Sequence, residues 1–320
     1  MGAYILKRVV GAIGVLLGAS VLVFTLIHLA PGDPVSIMYG PLSTGGAYQE
    51  MVSEEALHRI REELGLNKTI VTQYSDWIGR VIRLDLGFSF RTRQPVTTEL
   101  LRRWPATVIL ALFAFGIEVV LAVIFGILTA MKAGKPIDHL ARLGAALFRA
   151  VPNYWLGLLL LYLFVLKIRW VAASGEVSLR QVFLPALTLG LVASPQLMRV
   201  LRASMLAEIN RLYMVFGRAQ GIPERRLILR HAFRNAMLPA VTLMGMSFSG
   251  LLCGSAIIET VFSWPGIGKY LIDSIYIRDY PVVQAYALFT TAIVVLINLC
   301  VDILYTLLEP RIRFNAKGIR

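Results

Sequence analysis

Apolar runs long enough to cross a bilayer alternate with polar stretches along nearly the whole chain. They occupy residues 9–30, 105–131, 143–166, 182–205, 237–262 and 282–308. A hydrocarbon core of roughly 30 Å needs about 20 apolar residues in a helix, and each run is long enough. Lipid offers the backbone no hydrogen-bond partner, so a run that spans it must be helical. The pattern predicts an all-α membrane protein with six transmembrane helices. Pro152, Pro185 and Pro195 fall inside the runs. Each removes one helix hydrogen bond and predicts a bend. The first run follows Lys7 and Arg8 and exceeds the core of a signal peptide, which favours an uncleaved anchor.

The polar stretches differ in charge, and the difference orients the spans. Residues 199–239 carry eight arginines against two acids, Glu208 and Glu224. Adding Lys7, Arg8, Lys132, Lys135, Arg142 and the bases of residues 311–320 gives seventeen bases against four acids on one side. Such flanks stay in the cytoplasm, so both termini are expected there. Residues 32–104 hold nine acids and nine bases, which suits the outer side. With 57% hydrophobic residues and a mean hydropathy of +0.69, a soluble domain of this length is excluded. A net charge of +13 would suggest nucleic acid in a soluble protein. Here the membrane flanks account for it, and no nucleic-acid partner is expected. Cys253 and Cys300 lie within apolar runs and read as small hydrophobes, not as a disulfide framework or a zinc site.

Two polar stretches carry structure of their own. In the outer one, Ser53 caps an expected helix with Leu57, Ile60 and Leu64 on one face and Gly65 at its end. A second amphipathic stretch uses Tyr74, Trp77, Ile78, Val81 and Ile82 before Asp85-Leu86-Gly87. Together they form either a platform for an extracytoplasmic partner or a cap over the bundle. In the arginine-rich stretch, Met205, Ile209, Leu212 and Phe216 recur at helical spacing. Gly221-Ile222-Pro223 breaks the pattern, and a second helical run begins near Glu224. A helix, a glycine turn and a helix beneath a membrane make a docking element for a soluble partner, or a basic loop held by lipid headgroups.

Charged groups inside the runs, outside the arginine-rich stretch, are Glu118, Arg149, Glu259 and Asp302. Charges at such depth usually turn inward and pair. Glu259 reads either as a group at the outer mouth of a path, facing a cationic solute, or as an anchor bonded to amides of the turn at 263–267. Asn153, after the helix-breaking Pro152, is a candidate pore-facing residue; Glu118, Met246 and Glu259 complete the candidate path set. Enzyme readings fail. Gly268-Lys269 is followed by Tyr270 and Gly134-Lys135 by Pro136, so neither is a phosphate-binding loop, and energy must come from a separate chain. The four histidines are scattered, so no resident metal site is expected.

Several segments carry a family resemblance. They are Arg218-Ala219-Gln220-Gly221, Glu224-Arg225-Arg226, residues 230–239 (RHAFRNAMLP), residues 259–284 (ETVFSWPGIGKYLIDSIYIRDYPVVQ), and the outer motifs ELGL (63–66), QY (73–74) and DLGFSF (85–90). On these the chain resembles ATP-binding-cassette (ABC) importer permeases of the peptide/nickel branch, from PGDP (31–34) to PRIR (310–313). The wider superfamily begins its loop motif with Glu-Ala-Ala six residues before the glycine. Here Val215-Phe216-Gly217 stand there, so the match is to the branch. The resemblance implies a type I ABC importer permease fold with an extracytoplasmic insert. Its parts would be a first helix (1–31), the insert (32–95), a permease core (96–309) and a cytoplasmic tail (310–320).

Within that core it implies a coupling loop at about 205–235, with Gly217, Arg218, Ala219, Gly221, Arg225 and Arg226 seated in a groove of an ATPase subunit. It also implies a heterodimer with a related permease, two ATPase subunits carrying ATP and Mg²⁺, and a solute-binding protein outside. Such a permease subunit is not itself an enzyme. The short outer loop at 167–181 leans toward nickel, free or chelated; dipeptides or oligopeptides are the alternative. A rival outside the family is a proton-coupled secondary transporter using Glu118, Glu259 or Asp302, though no two-half repeat is evident.

Overall fold

A computed structural model of the chain describes residues 2–29, 55, 58, 62, 67–168 and 179–308. Among these residues the architecture is helical. An isolated bridge between Phe88 and Pro95 stands outside any named strand. In chain order the helices are α1 (Gly2–Leu29), α2 (Ile70–Ile82), α3 (Val96–Met131), α4 (Pro136–Ala150) and α5 (Asn153–Leu161). There follow α6 (Leu179–Ile209), α7 (Leu212–Ala219), α8 (Phe233–Gly254), α9 (Ala256–Val261), α10 (Ile267–Tyr276) and α11 (Tyr280–Leu308). Five helical stretches are long and apolar enough to cross a membrane, and a bent pair supplies a sixth. Of the helix expected from Ser53 only Glu55, His58 and Glu62 are described, each helical; the loop at 169–178 and the tail lie outside the described residues.

The third apolar run, expected as one span over 143–166 with a bend at Pro152, is sharply broken there. It is α4 and α5 meeting at 98°. Val151, the residue ahead of Pro152, is extended at φ −79° and ψ 129°, the conformation a following proline ring imposes. Pro152 then has no N–H to continue the ladder. Beyond the bend, α5 has nine residues and leads into a six-residue π-helical stretch, Tyr162–Lys167. Together these reach only roughly 20 Å, so crossing requires part of α4.

Pro185 and Pro195 do not interrupt their helix. Both sit within the continuous α6, as Pro105 does within α3 and Pro239 within α8. At Pro195 the reason is visible. The carbonyl left without a partner belongs to Leu191, and the Ser194 hydroxyl donates to it at 3.3 Å.

The chain gathers into two compact units, residues 1–104 with 270–295 and residues 105–269 with 296–320. In the first, α2 begins at Thr69, whose hydroxyl accepts from the Thr72 N–H. Its Tyr74 and Trp77 pack around Phe24 of α1, and the Tyr74 and Ser20 hydroxyls lie 2.8 Å apart. The DLGFSF segment turns at Gly87, where φ is +81° and the N–H reaches Asp85 Oδ1. The segment then hooks onto Asp279, which accepts from the Ser89 hydroxyl at 2.6 Å.

The second unit has its core between α3, α6, α7 and the segment leading into α8. Leu197, Leu201 and Met205 of α6 meet Ala122 and Ala130 of α3, Met214 of α7, and Leu227, Ala232 and Ala236. Small residues allow this approach. A Cβ on Gly126 would sit 3.0 Å from Leu201, and one on Gly190 would sit 2.7 Å from Ile117.

Candidate functional site

The arginine-rich stretch folds into a rigid elbow. Helix α6 ends at Ile209 and α7 starts at Leu212, so the four apolar residues expected on one helical face divide between two helices. Met205 is fully buried, whereas Leu212 and Phe216 are 76% and 67% exposed. Glu208 ties the joint together. Its carboxylate takes the Arg211 guanidinium at 3.1 Å, the Tyr213 hydroxyl at 2.7 Å and the Asn235 amide at 3.3 Å. Burial, and then the Glu208 carboxylate itself, hold the Tyr213 hydroxyl protonated above the ordinary phenol range, so it stays a donor. Three segments thus converge on one acid. In the sequence Glu208 is one of two acids among eight arginines, and nothing there marks it as the hub.

The glycine turn closes α7 as the sequence predicts. Gly221 has φ +75°, its N–H donates to the Arg218 carbonyl, and the Ile222 N–H donates to the Gly217 carbonyl. This is a Schellman cap, in which a left-handed residue satisfies the last carbonyls of the helix. Across the turn Arg218 grips Glu224 with two hydrogen bonds of 2.9 and 2.8 Å. Gly217 is buried because Leu227 crosses it: a Cβ there would meet Leu227 Cδ2 at 2.5 Å. The next helical turn begins at Glu224, where expected, passes a π-helical stretch Leu227–Ala232 and joins α8.

The six residues expected in the loop therefore share one elbow. Gly217 faces inward, while Arg218, Ala219, Gly221, Arg225 and Arg226 are exposed. The same elbow presents an apolar face. Leu212, Val215 and Phe216 are exposed at i, i+3 and i+4, while Met214 and Gly217 hold the opposite face to the core.

The candidate path residues take separate positions. Glu259 is fully buried. Its Oε1 accepts from the Thr107 and Ser255 hydroxyls, each at 2.8 Å, and its Oε2 accepts from the Lys269 N–H at 2.9 Å. Thr107 Oγ1 in turn accepts from the Ile267 N–H, and Trp264 Nε1 donates to the Ala106 carbonyl. The carboxylate is tied down as an anchor would be, but not by amides of the 263–267 turn: the one backbone amide it takes is that of Lys269, two residues beyond. Gly266 and Gly268 are required by it: a Cβ on either would strike the Glu259 carboxylate. Thr107, which splints the turn, carries no sequence signal beyond a hydroxyl near a span end.

Glu118 is buried and accepts from the Ser247 hydroxyl at 2.7 Å on both oxygens. Arg149 lines a cavity with residues of α4 and α6. Met246 is 61% exposed on α8. Asn153 begins α5, and its Oδ1 accepts from the Tyr154 N–H. These four residues share no partner among the described residues. The side chain of Asp302 lies outside them.

Two family models cover the chain. "Binding-protein-dependent transport system inner membrane component" matches residues 122–314, and its N-terminal companion matches residues 1–111. The glutathione transport system permease protein GsiC of Escherichia coli is 36% identical over 98% of this chain and 99% of its own length. The probable peptide ABC transporter permease protein y4tP of Sinorhizobium fredii is 35% identical over 98% of this chain and all of its own. A crystal structure of an amino acid ABC transporter with histidines shares the fold, with a TM-score of 0.51 at 20% identity. It covers 67% of this chain and 94% of that one. Motifs, helical architecture and full-length relatives agree: the chain belongs to the binding-protein-dependent transport system inner membrane components, as an ABC importer permease of the peptide/nickel branch.

Proposed function

We propose that this chain is the membrane subunit through which an ATP-driven importer moves short peptides or peptide-like solutes. Support for the solute comes from the relatives, which are named for glutathione and for peptide. The nickel reading, which leaned on the short loop at 167–181, has no such support, and the peptide alternative replaces it.

The observation that carries the mechanism is the exposed apolar face of α7, held rigid by Glu208 and the Gly221 cap. Leu212, Val215 and Phe216 would be costly in water, and a groove on an ATPase subunit would cover them. ATP and Mg²⁺ would belong to that subunit. Closure of two ATPases would push the elbow, and the packing of Met214 and Gly217 on Leu227 would pass the displacement into α6 and α8. A two-state bundle biased in this way gives alternating access. A related permease would complete the pathway, and a solute-binding protein outside would deliver the cargo. Both termini would lie in the cytoplasm. Glu259 would set the turn between α9 and α10 instead of touching the solute.

Calorimetric titration of the cognate solute-binding protein with glutathione, a dipeptide mixture and nickel tests the cargo. Peptide or glutathione binding without metal is expected. Tight binding that requires nickel would overturn this assignment.

A further inference from the structure

A cavity of about 840 Å³ opens between α4 and α6, away from the elbow and the Glu259 network. It is walled by Arg142 and Arg149 of α4 and by Arg199 and Arg202 of α6, with His139, Leu143 and Pro195 among the rest. Among the described residues only one of the four arginines, Arg202, makes an ion pair. Arg202 makes two hydrogen bonds, of 3.0 and 2.7 Å, to the buried Asp138, whose carboxylate also takes the Gly134 N–H. That pair pins the start of α4 to α6, and Asp138 also lies within the electrostatic reach of Arg142. Among the described residues no carboxylate lies within ion-pair distance of Arg142, Arg149 or Arg199. Three guanidinium groups without an ion pair among the described residues, around one space, call for an anion, and a planar fork suits phosphate oxygens.

The surroundings of the cavity narrow the class of anion. Helix α4 lies at 98° to the segment that follows it. Leu140, Leu143 and Leu147, at i, i+3 and i+7, are all about 60–70% exposed. Leu143 belongs to both the exposed face and the cavity wall. A helix with arginines beside an exposed leucine stripe, set at a steep angle to its span, is built to lie in a membrane interface. Its ligand must therefore meet charge and hydrocarbon together, which a free anion does not.

We propose that this cavity binds the phosphodiester headgroup of an anionic phospholipid, with acyl chains along Leu140, Leu143 and Leu147. Basic pockets between helices at the cytoplasmic surface are suited to such headgroups. The site is separate from the elbow and independent of the identity of the cargo. Bound lipid bridges α4 and α6, the helix that leads to the elbow, so it fixes the geometry from which the elbow moves.

Native mass spectrometry of the assembled transporter, released from vesicles of phosphatidylglycerol or of phosphatidylcholine, tests the assignment. Retained phosphatidylglycerol is expected in excess over phosphatidylcholine. The excess should fall at least tenfold in Arg142→Gln/Arg149→Gln and persist in Arg142→Lys/Arg149→Lys, which keeps the charge if the glutamine pair fails to fold. Retention unchanged in the glutamine variant would overturn the proposal. So would displacement of the lipid by millimolar inorganic phosphate, which would make this a soluble-anion site. Loss of the lipid on assembly with the partner permease would also overturn it, since protein would then cover the cavity.

Discussion

Glu259 is buried with both oxygens occupied, and its partners come from three places: a hydroxyl on α3, a hydroxyl one turn earlier and a backbone amide at the start of α10. A glutamine is nearly the same shape but has one acceptor oxygen, and its NH₂ would face donors. Glu259→Gln should therefore cost about 1–3 kcal/mol, the usual toll for a buried group left unpaired. Thermal unfolding in detergent should show the loss, while the KM of reconstituted transport stays unchanged. A raised KM with unaltered unfolding would put Glu259 on the path instead. Gly266→Ala tests the same network by steric means. Its Cβ would fall onto the Glu259 carboxylate and the Thr107 hydroxyl, so a collapse in the yield of folded protein is expected in expression trials.

At the scale of elements, the elbow separates two roles that its glycines share in the sequence. Gly217 is fixed by contact, because Leu227 occupies the space of a side chain. Gly221 is fixed by conformation: φ is +75°, and nothing lies within 4 Å of its Cβ position. Gly221→Ala should thus cost about 1–2 kcal/mol through the left-handed backbone alone, read as a modest fall in unfolding temperature. Gly221→Asp tolerates that backbone better but places a charge beside the exposed face of α7. It should leave folding near normal and uncouple ATP hydrolysis from uptake in proteoliposomes; tight coupling in that variant would argue against docking at this turn. The prolines teach a similar distinction. Pro152 breaks its run because Val151 has gone extended, whereas Pro195 is carried through because Ser194 caps the orphaned carbonyl.

For the whole molecule, the apolar runs and their basic flanks made the helical membrane fold legible, because a spanning segment must satisfy its own backbone whatever it packs against. The elbow was legible too: Gly221-Ile222-Pro223 punctuates the stretch, and Glu224 opens the next turn. What stayed hidden depends on partners far away in the chain. Asp138 meets Arg202 across 64 residues, Ser89 meets Asp279 across 190, and Thr107 meets Glu259 across 152. No local spacing encodes such pairs. Which proline would break a span was hidden for the same reason, since hydroxyls and packing around each ring decide it.

The central claim is that the α7 face docks an ATPase subunit, and co-purification tests it most directly. The tagged permease is expressed with its ATPase subunits, as wild type and as Leu212→Asp/Phe216→Asp. Because both residues are exposed, the variant should unfold within a few degrees of the wild type but lose most of the bound ATPase and solute-stimulated hydrolysis. Full recovery of the ATPase with normal stimulated hydrolysis from the doubly charged variant would contradict the account.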